Sequence, residues 1–197
     1  MTLIRSLIFT GFFYLWSAAL LILFLPLLLG PRTGVVWLLQ VWNLGLTWAL
    51  HWICGVRVEI RGREFIPRGT ALIAMKHQCM FDAMGLWGEL PGACYVLKKS
   101  LMLIPIFGWF TAKARMIVID RQGHAKALRQ MLADAAMRIR EGRQIIIFPE
   151  GTRKRPGLPP DYKPGIAGLY RDLDVPVIPV ATNAGAHWNA LTKTPGT

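Results

Sequence analysis

Ala71-Leu-Ile-Ala-Met-Lys-His-Gln-Cys-Met-Phe-Asp82 is the stretch that decides the fold. The apolar run 70–75 predicts a buried β-strand, which places His77 in the turn that follows it. Residues 82–89 are typical of a helix that begins near Asp82. Strand end, turn and helix start is the arrangement in which open α/β sheets carry their functional sites.

His77 and Asp82 are a candidate acid–base pair. An imidazole titrates near neutral pH and can take a proton from a hydroxyl, and a carboxylate at its other ring nitrogen fixes the tautomer and stabilises the imidazolium. A structural histidine followed by a helix-capping acid would give the same pattern. The pair alone leaves both interpretations open, so the rest of the chain decides between them.

The N-terminal part of the chain predicts a membrane segment. No charged residue occurs in 6–31, and the apolar run 7–30 exceeds the roughly 20 residues that span a bilayer core. A second apolar run, 33–54, carries four tryptophans, a residue type that favours the headgroup level. We expect a membrane-anchoring helix pair over 1–55, either spanning or re-entrant. A cleaved signal peptide is disfavoured because its apolar region would be shorter.

The portion 56–197 is strongly basic. The chain has 23 basic and 11 acidic residues, and only Arg5 and Arg32 precede residue 57. Positive-inside bias therefore predicts the inner membrane, with this portion facing the cytoplasm. A basic domain at a membrane attracts anionic lipid headgroups and phosphorylated substrates. Nucleic acid is not expected as a partner, since no recognition motif accompanies the charge.

The predicted elements alternate along 56–197. Apolar patterns predict strands at 56–62, 70–75, 93–97, 116–119, 144–148 and 175–181, and helices at 123–141 and 166–173. This order predicts an α/β fold with a mainly parallel sheet flanked by helices, preceded by the membrane-embedded helix hairpin. The chain stops soon after the last strand without a closing element, so we expect a truncated C-terminus.

Basic residues follow three of the predicted strands. Lys99 follows the strand at 93–97, Arg121 the strand at 116–119, and Arg153 the strand at 144–148. Because carboxyl ends of parallel strands meet at one edge of a sheet, these cations are expected on the edge that carries His77. Each taken singly is typical of a solvated surface charge, but together they indicate an anion site.

The segment Pro149-Glu-Gly-Thr-Arg153 has the composition of that anion site. Gly151 lets backbone N–H groups approach an anion, Thr152 adds a hydroxyl, and Arg153 adds a planar fork that suits phosphate. A tight turn capped by Glu150 and Thr152 is the structural alternative.

Other kinds of chemistry find little support. Only Ser100 lies outside the membrane run, and no Gly-x-Ser-x-Gly elbow exists, so a serine acyl-enzyme is not expected. Cys79 fits a small filler at a turn better than a thiolate nucleophile. Three cysteines and four histidines without ligand spacing predict a reduced compartment and no metal. What remains is His77 acting on a substrate hydroxyl.

Four blocks in order resemble the glycerolipid acyltransferases. They are His77-x-x-x-x-Asp82, Ile117-Val-Ile-Asp-Arg121, Phe148-Pro-Glu-Gly-Thr-Arg153 and Val175-Pro-Val-Ile-Pro-Val180. The resemblance covers residue 56 to the end, and an N-terminal membrane-binding helix pair is also usual in that family. It implies a catalytic domain at 56–197, in which His77 and Asp82 are catalytic.

The resemblance also implies a reaction. An acyl chain would pass from acyl-CoA or acyl carrier protein to the sn-2 hydroxyl of lysophosphatidic acid, giving phosphatidic acid in phospholipid biosynthesis without metal or prosthetic group. The acceptor's glycerol phosphate would be bound by the matching residues Arg121, Glu150, Gly151, Thr152 and Arg153. Lys99 matches no block, but its place at a strand end on the same edge makes it a further candidate phosphate ligand. The apolar segment 101–110 and the hairpin would hold acyl chains among the membrane lipids.

Two residues depart from the family pattern. The residue before the histidine is commonly Asn and here is Lys76, and the small residue two positions after it is commonly Ser and here is Cys79. An extra cation beside His77 could touch phosphate or help keep the imidazole neutral. Acylation of another lysolipid, such as lyso-ornithine lipid, and a non-catalytic lipid-binding membrane protein are the alternatives. The sequence predicts no oligomeric state.

Overall fold

A parallel sheet between two layers of helix forms the framework of the computed structural model, which describes residues 3–90 and 92–188. The strands are β1 (Leu72–Met75), β2 (Cys94–Lys98), β3 (Ile117–Ile119), β4 (Ile145–Ile147) and β5 (Val177–Val180). The helices are α1 (Leu3–Leu23), α2 (Arg32–Cys54), α3 (Phe107–Lys113), α4 (His124–Arg140) and α5 (Pro164–Leu173). The expected C-terminal truncation lies outside the described residues.

The strand order is β3-β2-β4-β1-β5, and each neighbouring pair is parallel. This confirms the predicted α/β fold with a parallel sheet flanked by helices. Both faces of the sheet are buried, which explains why its strands are continuous apolar runs. Leu72 packs with Met131 of α4 and Leu169 of α5, whereas the next residue, Ile73, lies on the opposite face with Trp87.

The predicted helix hairpin is present at the N-terminus. A 3-10 turn at Leu25–Leu28 joins α1 to α2, and the Trp42 indole N–H donates to Ser17 Oγ across the pair at 2.9 Å. Among the described residues, α1 is the one helix long and apolar enough to cross a membrane, by length and composition. Its 21 residues extend roughly 31 Å.

The hairpin ends at Gly55, which adopts a left-handed φ of 68°. The following Val56 N–H donates to Leu50 O at 3.1 Å, a bond typical of a glycine helix cap. Leu50 lies in one apolar cluster with Cys79 and Met84, so the end of the hairpin packs against the segment that carries His77. The division of the chain at residue 55 into two domains stays a prediction.

Two predicted elements are wrong. The segment 56–62 forms no strand, because an alternating pattern does not itself provide a neighbouring strand to pair with. The expected helix at 82–89 is instead a 3-10 turn, Met80–Ala83, followed by further turns. Gly85 and Gly88 disfavour a continuous helix, and a Cβ at Gly85 would lie 2.9 Å from the Phe81 ring.

Candidate active site

His77 lies immediately beyond the end of β1. The preceding residue still belongs to the sheet ladder, since the Lys76 N–H donates to Val180 O at 2.9 Å. The His77 carbonyl instead accepts from the Lys154 N–H at 2.8 Å, in the loop that follows β4. The histidine is therefore held where the loops after two adjacent strands meet, at the carboxyl edge of the sheet.

His77 and Asp82 form the predicted pair. The distance from His77 Nδ1 to Asp82 Oδ2 is 3.1 Å, and the Asp82 side chain is fully buried. The same oxygen accepts the backbone N–H groups of Gln78 at 2.5 Å and Cys79 at 2.7 Å. These bonds hold the carboxylate in place and replace the hydrogen bonds that water would otherwise give it.

Local sequence explains the spacing of the pair. Cys79 begins the 3-10 turn in an extended conformation, its thiol accepts the Asp82 N–H, and the Asp82 carboxylate accepts the Cys79 N–H. This reciprocal cap fixes an acid three residues after the cap residue. The structural interpretation of Asp82 as a capping acid is therefore confirmed, and it does not exclude the functional one, since the same carboxylate oxygen also contacts His77. The catalytic role of Asp82 stays a prediction.

The imidazole is oriented for accepting a proton. A carboxylate can only accept, so Nδ1 carries the hydrogen of this bond, and in the neutral ring the lone pair is on Nε2. The ring stacks on Phe148 with a centroid distance of 4.1 Å and an interplanar angle of 20°. The His77 side chain remains 17% exposed. The ring is thus fixed on two sides and still reachable by a substrate.

Cys79 is unsuited to act as a nucleophile. Burial, reinforced by the negative charge of Asp82, raises the pKa of its thiol to about 12. A thiol with that pKa stays protonated at neutral pH, and the thiolate is the reactive form. The structure therefore supports the interpretation of Cys79 as a small residue that shapes the turn.

Lys76 has a definite partner. Its Nζ lies 2.9 Å from Glu150 Oε1, the Glu150 side chain is fully buried, and the Lys76 side chain is 28% exposed. The ammonium group therefore neutralises the one buried carboxylate of the loop that follows β4, residues 148–154. Because Glu150 has no exposed surface, it can act on a substrate only through its neighbours.

The rest of that loop is open to solvent. Gly151 adopts a φ of 64°, a left-handed conformation that favours glycine, and its N–H donates to Phe148 O at 2.9 Å. Thr152 and Arg153 are exposed. Arg153 directly precedes Lys154, whose N–H donates to His77 O, so the Arg153 backbone lies beside the His77 turn. Within residues 3–90 and 92–188 the Arg153 side chain forms no hydrogen bond or ion pair that would compete with an anion.

Lys99 and Arg121 lie on the same edge but farther along it. They follow β2 and β3, which are two and three places from β1 in the sheet, or roughly 10 and 14 Å at the usual strand spacing. Both side chains are exposed, and Lys99 Nζ forms an ion pair with Asp120 Oδ2 at 3.0 Å. The structure therefore brings Asp82 into contact with His77 and places the loop that carries Glu150 and Arg153 against the His77 turn. The role of the two distant cations stays a prediction.

Two residues of the site were missed from the sequence. The sequence predicts Phe148 only as the end of a core strand and the first residue of a family block, although its ring stacks on His77, and it predicts no role for Tyr95 of β2. The sequence signal that could have identified Phe148 is its place directly before Pro149, at a strand end. Recognising the contact also requires the neighbouring positions of β4 and β1, which strand patterns alone do not give.

A histidine–carboxylate pair at the carboxyl edge of a parallel sheet is suited to take a proton from a substrate hydroxyl, as in enzymes that use a histidine as general base. Residues 57–183 match the family model described as Acyltransferase. The chain belongs to the acyltransferase family and is an enzyme of acyl transfer.

Individual relatives agree with this assignment. A 1-acyl-sn-glycerol-3-phosphate acyltransferase of Pseudomonas aeruginosa is 32% identical over 100% of this chain and 76% of its own length. The human 1-acyl-sn-glycerol-3-phosphate acyltransferase alpha is 29% identical over 68% of this chain, but that match spans only 48% of the human protein. The crystal structure of a 1-acyl-sn-glycerophosphate acyltransferase from Thermotoga maritima superimposes with a TM-score of 0.77 at 22% identity, covering 98% of this chain and 80% of that one, which shows the shared fold.

Proposed function

We propose that this enzyme transfers an acyl chain from an acyl thioester to the free sn-2 hydroxyl of 1-acyl-sn-glycerol-3-phosphate, forming phosphatidic acid for phospholipid biosynthesis. The observation that carries the proposal is the 3.1 Å contact between His77 Nδ1 and Asp82, which leaves Nε2 of the neutral ring to accept a proton, with the exposed Arg153 in the adjacent loop. The Pseudomonas and human relatives are 1-acyl-sn-glycerol-3-phosphate acyltransferases, which supports the choice of acceptor.

The proposed chemistry needs one base and no covalent enzyme intermediate. His77 Nε2 takes the hydroxyl proton while the acceptor oxygen attacks the thioester carbonyl. The tetrahedral intermediate then expels the thiol sulfur, which takes the proton back from the imidazolium, so the products are an ester and a free thiol. Asp82 stabilises the transient imidazolium, and a positioned base of this kind contributes about 10²- to 10⁴-fold to the rate. No metal or prosthetic group takes part.

The acceptor phosphate would be held by Arg153, whose planar fork suits a phosphate dianion. The open backbone at Gly151 and the Thr152 hydroxyl lie in the same loop. Arg121 and Lys99 would extend the positive field along the sheet edge, toward the donor or the membrane headgroups. Acyl-CoA and acyl carrier protein are both acidic donors that such an edge can accept.

The apolar parts of the molecule would place the site at a membrane, on the cytoplasmic face of the inner membrane. Large apolar side chains are exposed on α1, on α2 and in the segment before and within α3, including Leu15, Trp52, Leu103 and Trp109. Tryptophan favours the headgroup level, and exposed apolar surface of this extent is typical of membrane contact. Both lipid substrates could then reach His77 from the bilayer surface.

Detergent-purified protein tests the proposal directly. Incubation with lysophosphatidic acid and labelled acyl-CoA or acyl carrier protein should give labelled phosphatidic acid. His77→Ala should abolish the product, whereas the exposed His124→Gln should retain it, and circular dichroism should show that both variants are folded. If neither donor gives phosphatidic acid, the proposal fails.

The acceptor is tested in the same assay by competition. Lyso-ornithine lipid lacks the phosphate and should not be acylated at a comparable rate. If it is the better acceptor, acyl transfer stands and the acceptor assignment is wrong. If His77→Ala forms the product at an unchanged rate, His77 is not the base. If neither acceptor is acylated and His77→Ala changes nothing measurable, the chain is a lipid-binding protein that keeps the fold.

A further inference from the structure

Tyr95 of β2 is buried and reaches His77 through one intervening ring. Its ring contacts Trp87 at a centroid distance of 4.9 Å and Phe148 at 6.2 Å, and Phe148 is the ring on which His77 stacks. The residue is only 2% exposed. Its hydroxyl has no hydrogen-bond partner within the described residues.

Asp82 has a matching unpaired atom. Its Oδ2 accepts three hydrogen bonds, but its Oδ1 is buried and has no partner within residues 3–90 and 92–188. A carboxylate oxygen is an acceptor and a phenol hydroxyl is a donor, so the two unpaired atoms complement each other. Leaving both unpaired in the interior is costly, and such groups in native proteins are nearly always satisfied by each other or by a buried water.

The two groups are also within electrostatic reach. Burial, together with the Asp82 charge, raises the pKa of the Tyr95 hydroxyl, so the phenol keeps its proton and remains a donor. A direct hydrogen bond or one bridging water would satisfy both groups.

We propose that Tyr95 is a positioning residue of the active site, whose hydroxyl donates to Asp82 Oδ1 directly or through one buried water. The hydrogen bond fixes the plane of the carboxylate so that Oδ2 faces His77 Nδ1. It also withdraws negative charge from Asp82, which sets how strongly the carboxylate retains a proton on the imidazole. The inference rests on the proposed function in one respect, that His77 must be neutral to act as the base.

Tyr95→Phe removes the hydroxyl and keeps the ring that packs on Trp87 and Phe148. Without the donor, Asp82 carries more negative charge and favours the imidazolium. The acid limb of the pH profile of kcat/KM should therefore move to higher pH, by about 0.5 to 1 pH unit. At pH 6 the loss in kcat should be about three- to tenfold, with KM nearly unchanged, and it should shrink as the pH rises. Tyr170 is exposed, so Tyr170→Phe is the matched control, and its pH profile should coincide with that of the wild-type enzyme.

A second measurement needs no acyl transfer. Diethyl pyrocarbonate reacts with neutral imidazole, so the pH dependence of His77 modification, corrected by the His77→Ala rate, reports protonation of the ring. The midpoint should move upward in Tyr95→Phe and stay in place in Tyr170→Phe. A shifted midpoint without any acyltransferase activity would support the role of Tyr95 and contradict the proposed function.

The inference is overturned if Tyr95→Phe is active and folded with an unchanged acid limb and an unchanged modification midpoint. Should Tyr95→Phe not fold, the ¹³Cζ resonance of Tyr95 in labelled protein gives the answer. It should shift between the unchanged enzyme and Asp82→Asn, because that change removes the charge that the hydroxyl faces. A resonance that does not move contradicts the contact.

Discussion

The two halves of the sheet edge carry similar ion pairs in different surroundings. Lys76 and Glu150 meet at 2.9 Å at the β1–β4 half, and Lys99 and Asp120 meet at 3.0 Å at the β2–β3 half. Glu150 is fully buried and Lys76 is 28% exposed, whereas Asp120 and Lys99 are 43% and 66% exposed. The chemistry and the distance are nearly equal, so burial alone separates the two pairs.

Burial decides what each half can do. In the interior a charge without its partner is strongly unfavourable, so the Lys76–Glu150 pair fixes the geometry of the loops around His77. On the surface, water and salt replace a lost partner, so the Lys99–Asp120 pair leaves both groups mobile. The β1–β4 half is thus suited to hold reacting atoms in place, and the β2–β3 half to attract anions by its field.

The largest loss of activity is expected when the His77–Asp82 pair in the β1–β4 half is disrupted. Asp82→Asn can still accept the backbone N–H groups of Gln78 and Cys79 but no longer carries the charge that stabilises imidazolium. We expect kcat to fall by about 10²- to 10⁴-fold, with KM for the acceptor little changed. Steady-state kinetics measure this split. A variant that is folded and loses less than about tenfold would show that His77 does not depend on Asp82.

The next effect comes from breaking the buried ion pair. Lys76→Met leaves Glu150 charged and unpaired in the interior, so we expect the free energy of unfolding to fall by about 3 to 5 kcal/mol and activity to fall with it. Urea unfolding and the acyltransfer assay measure the two losses.

A double-mutant cycle separates the pair from other roles of Lys76. Lys76→Met combined with Glu150→Gln removes both charges and should recover most of the lost stability. If Lys76 instead binds substrate phosphate, stability is little affected in the single variant, and the double variant regains no activity.

Each half of the sheet edge also carries an exposed arginine, and the two should contribute differently to binding of the acceptor. Arg153 lies beside the His77 turn, so Arg153→Ala should raise KM for lysophosphatidic acid by about 10- to 100-fold, as expected for loss of a charge-assisted contact of about 1.5 to 3 kcal/mol. Arg121 lies about three strand spacings from β1, the strand that carries His77. Arg121→Ala should therefore alter KM for lysophosphatidic acid by less than about threefold. Equal effects of the two variants would mean that the acceptor extends along the whole edge.

The features of the fold and the site that depend on local sequence were predictable. The strand ends, the helix at 123–141 and the pairing of His77 with Asp82 rest on local patterns, because strand periodicity and a turn cap act over a few residues. Three parallel strand ends with basic residues also followed from local patterns. These are the features that the structure confirms.

Strand order and burial were not predictable in this way. That β4 lies between β1 and β2 places Glu150 under Lys76 and Phe148 against His77, while it leaves Lys99 and Arg121 at a distance. Contacts between residues some 70 positions apart depend on how the helices cover the sheet, which one sequence does not encode in a local pattern. The same reason explains why 56–62 has the pattern of a strand and yet pairs with none.

The smallest effect is expected from Lys99→Met, which breaks the exposed pair. The hydrogen bond from Lys99 holds the pKa of Asp120 below its ordinary value. A carboxyl whose pKa is lowered in the folded state adds stability above its unfolded pKa and loses it as the pH falls through the folded value. Because both groups are exposed, this contribution is screened, and thermal midpoints of Lys99→Met and the unchanged enzyme should coincide at pH 7 and at pH 3. The prediction is contradicted if the midpoints differ at pH 7 and this difference becomes smaller at pH 3. The Lys99–Asp120 pair would then stabilise the fold, and the two halves of the edge would differ less than their exposure indicates.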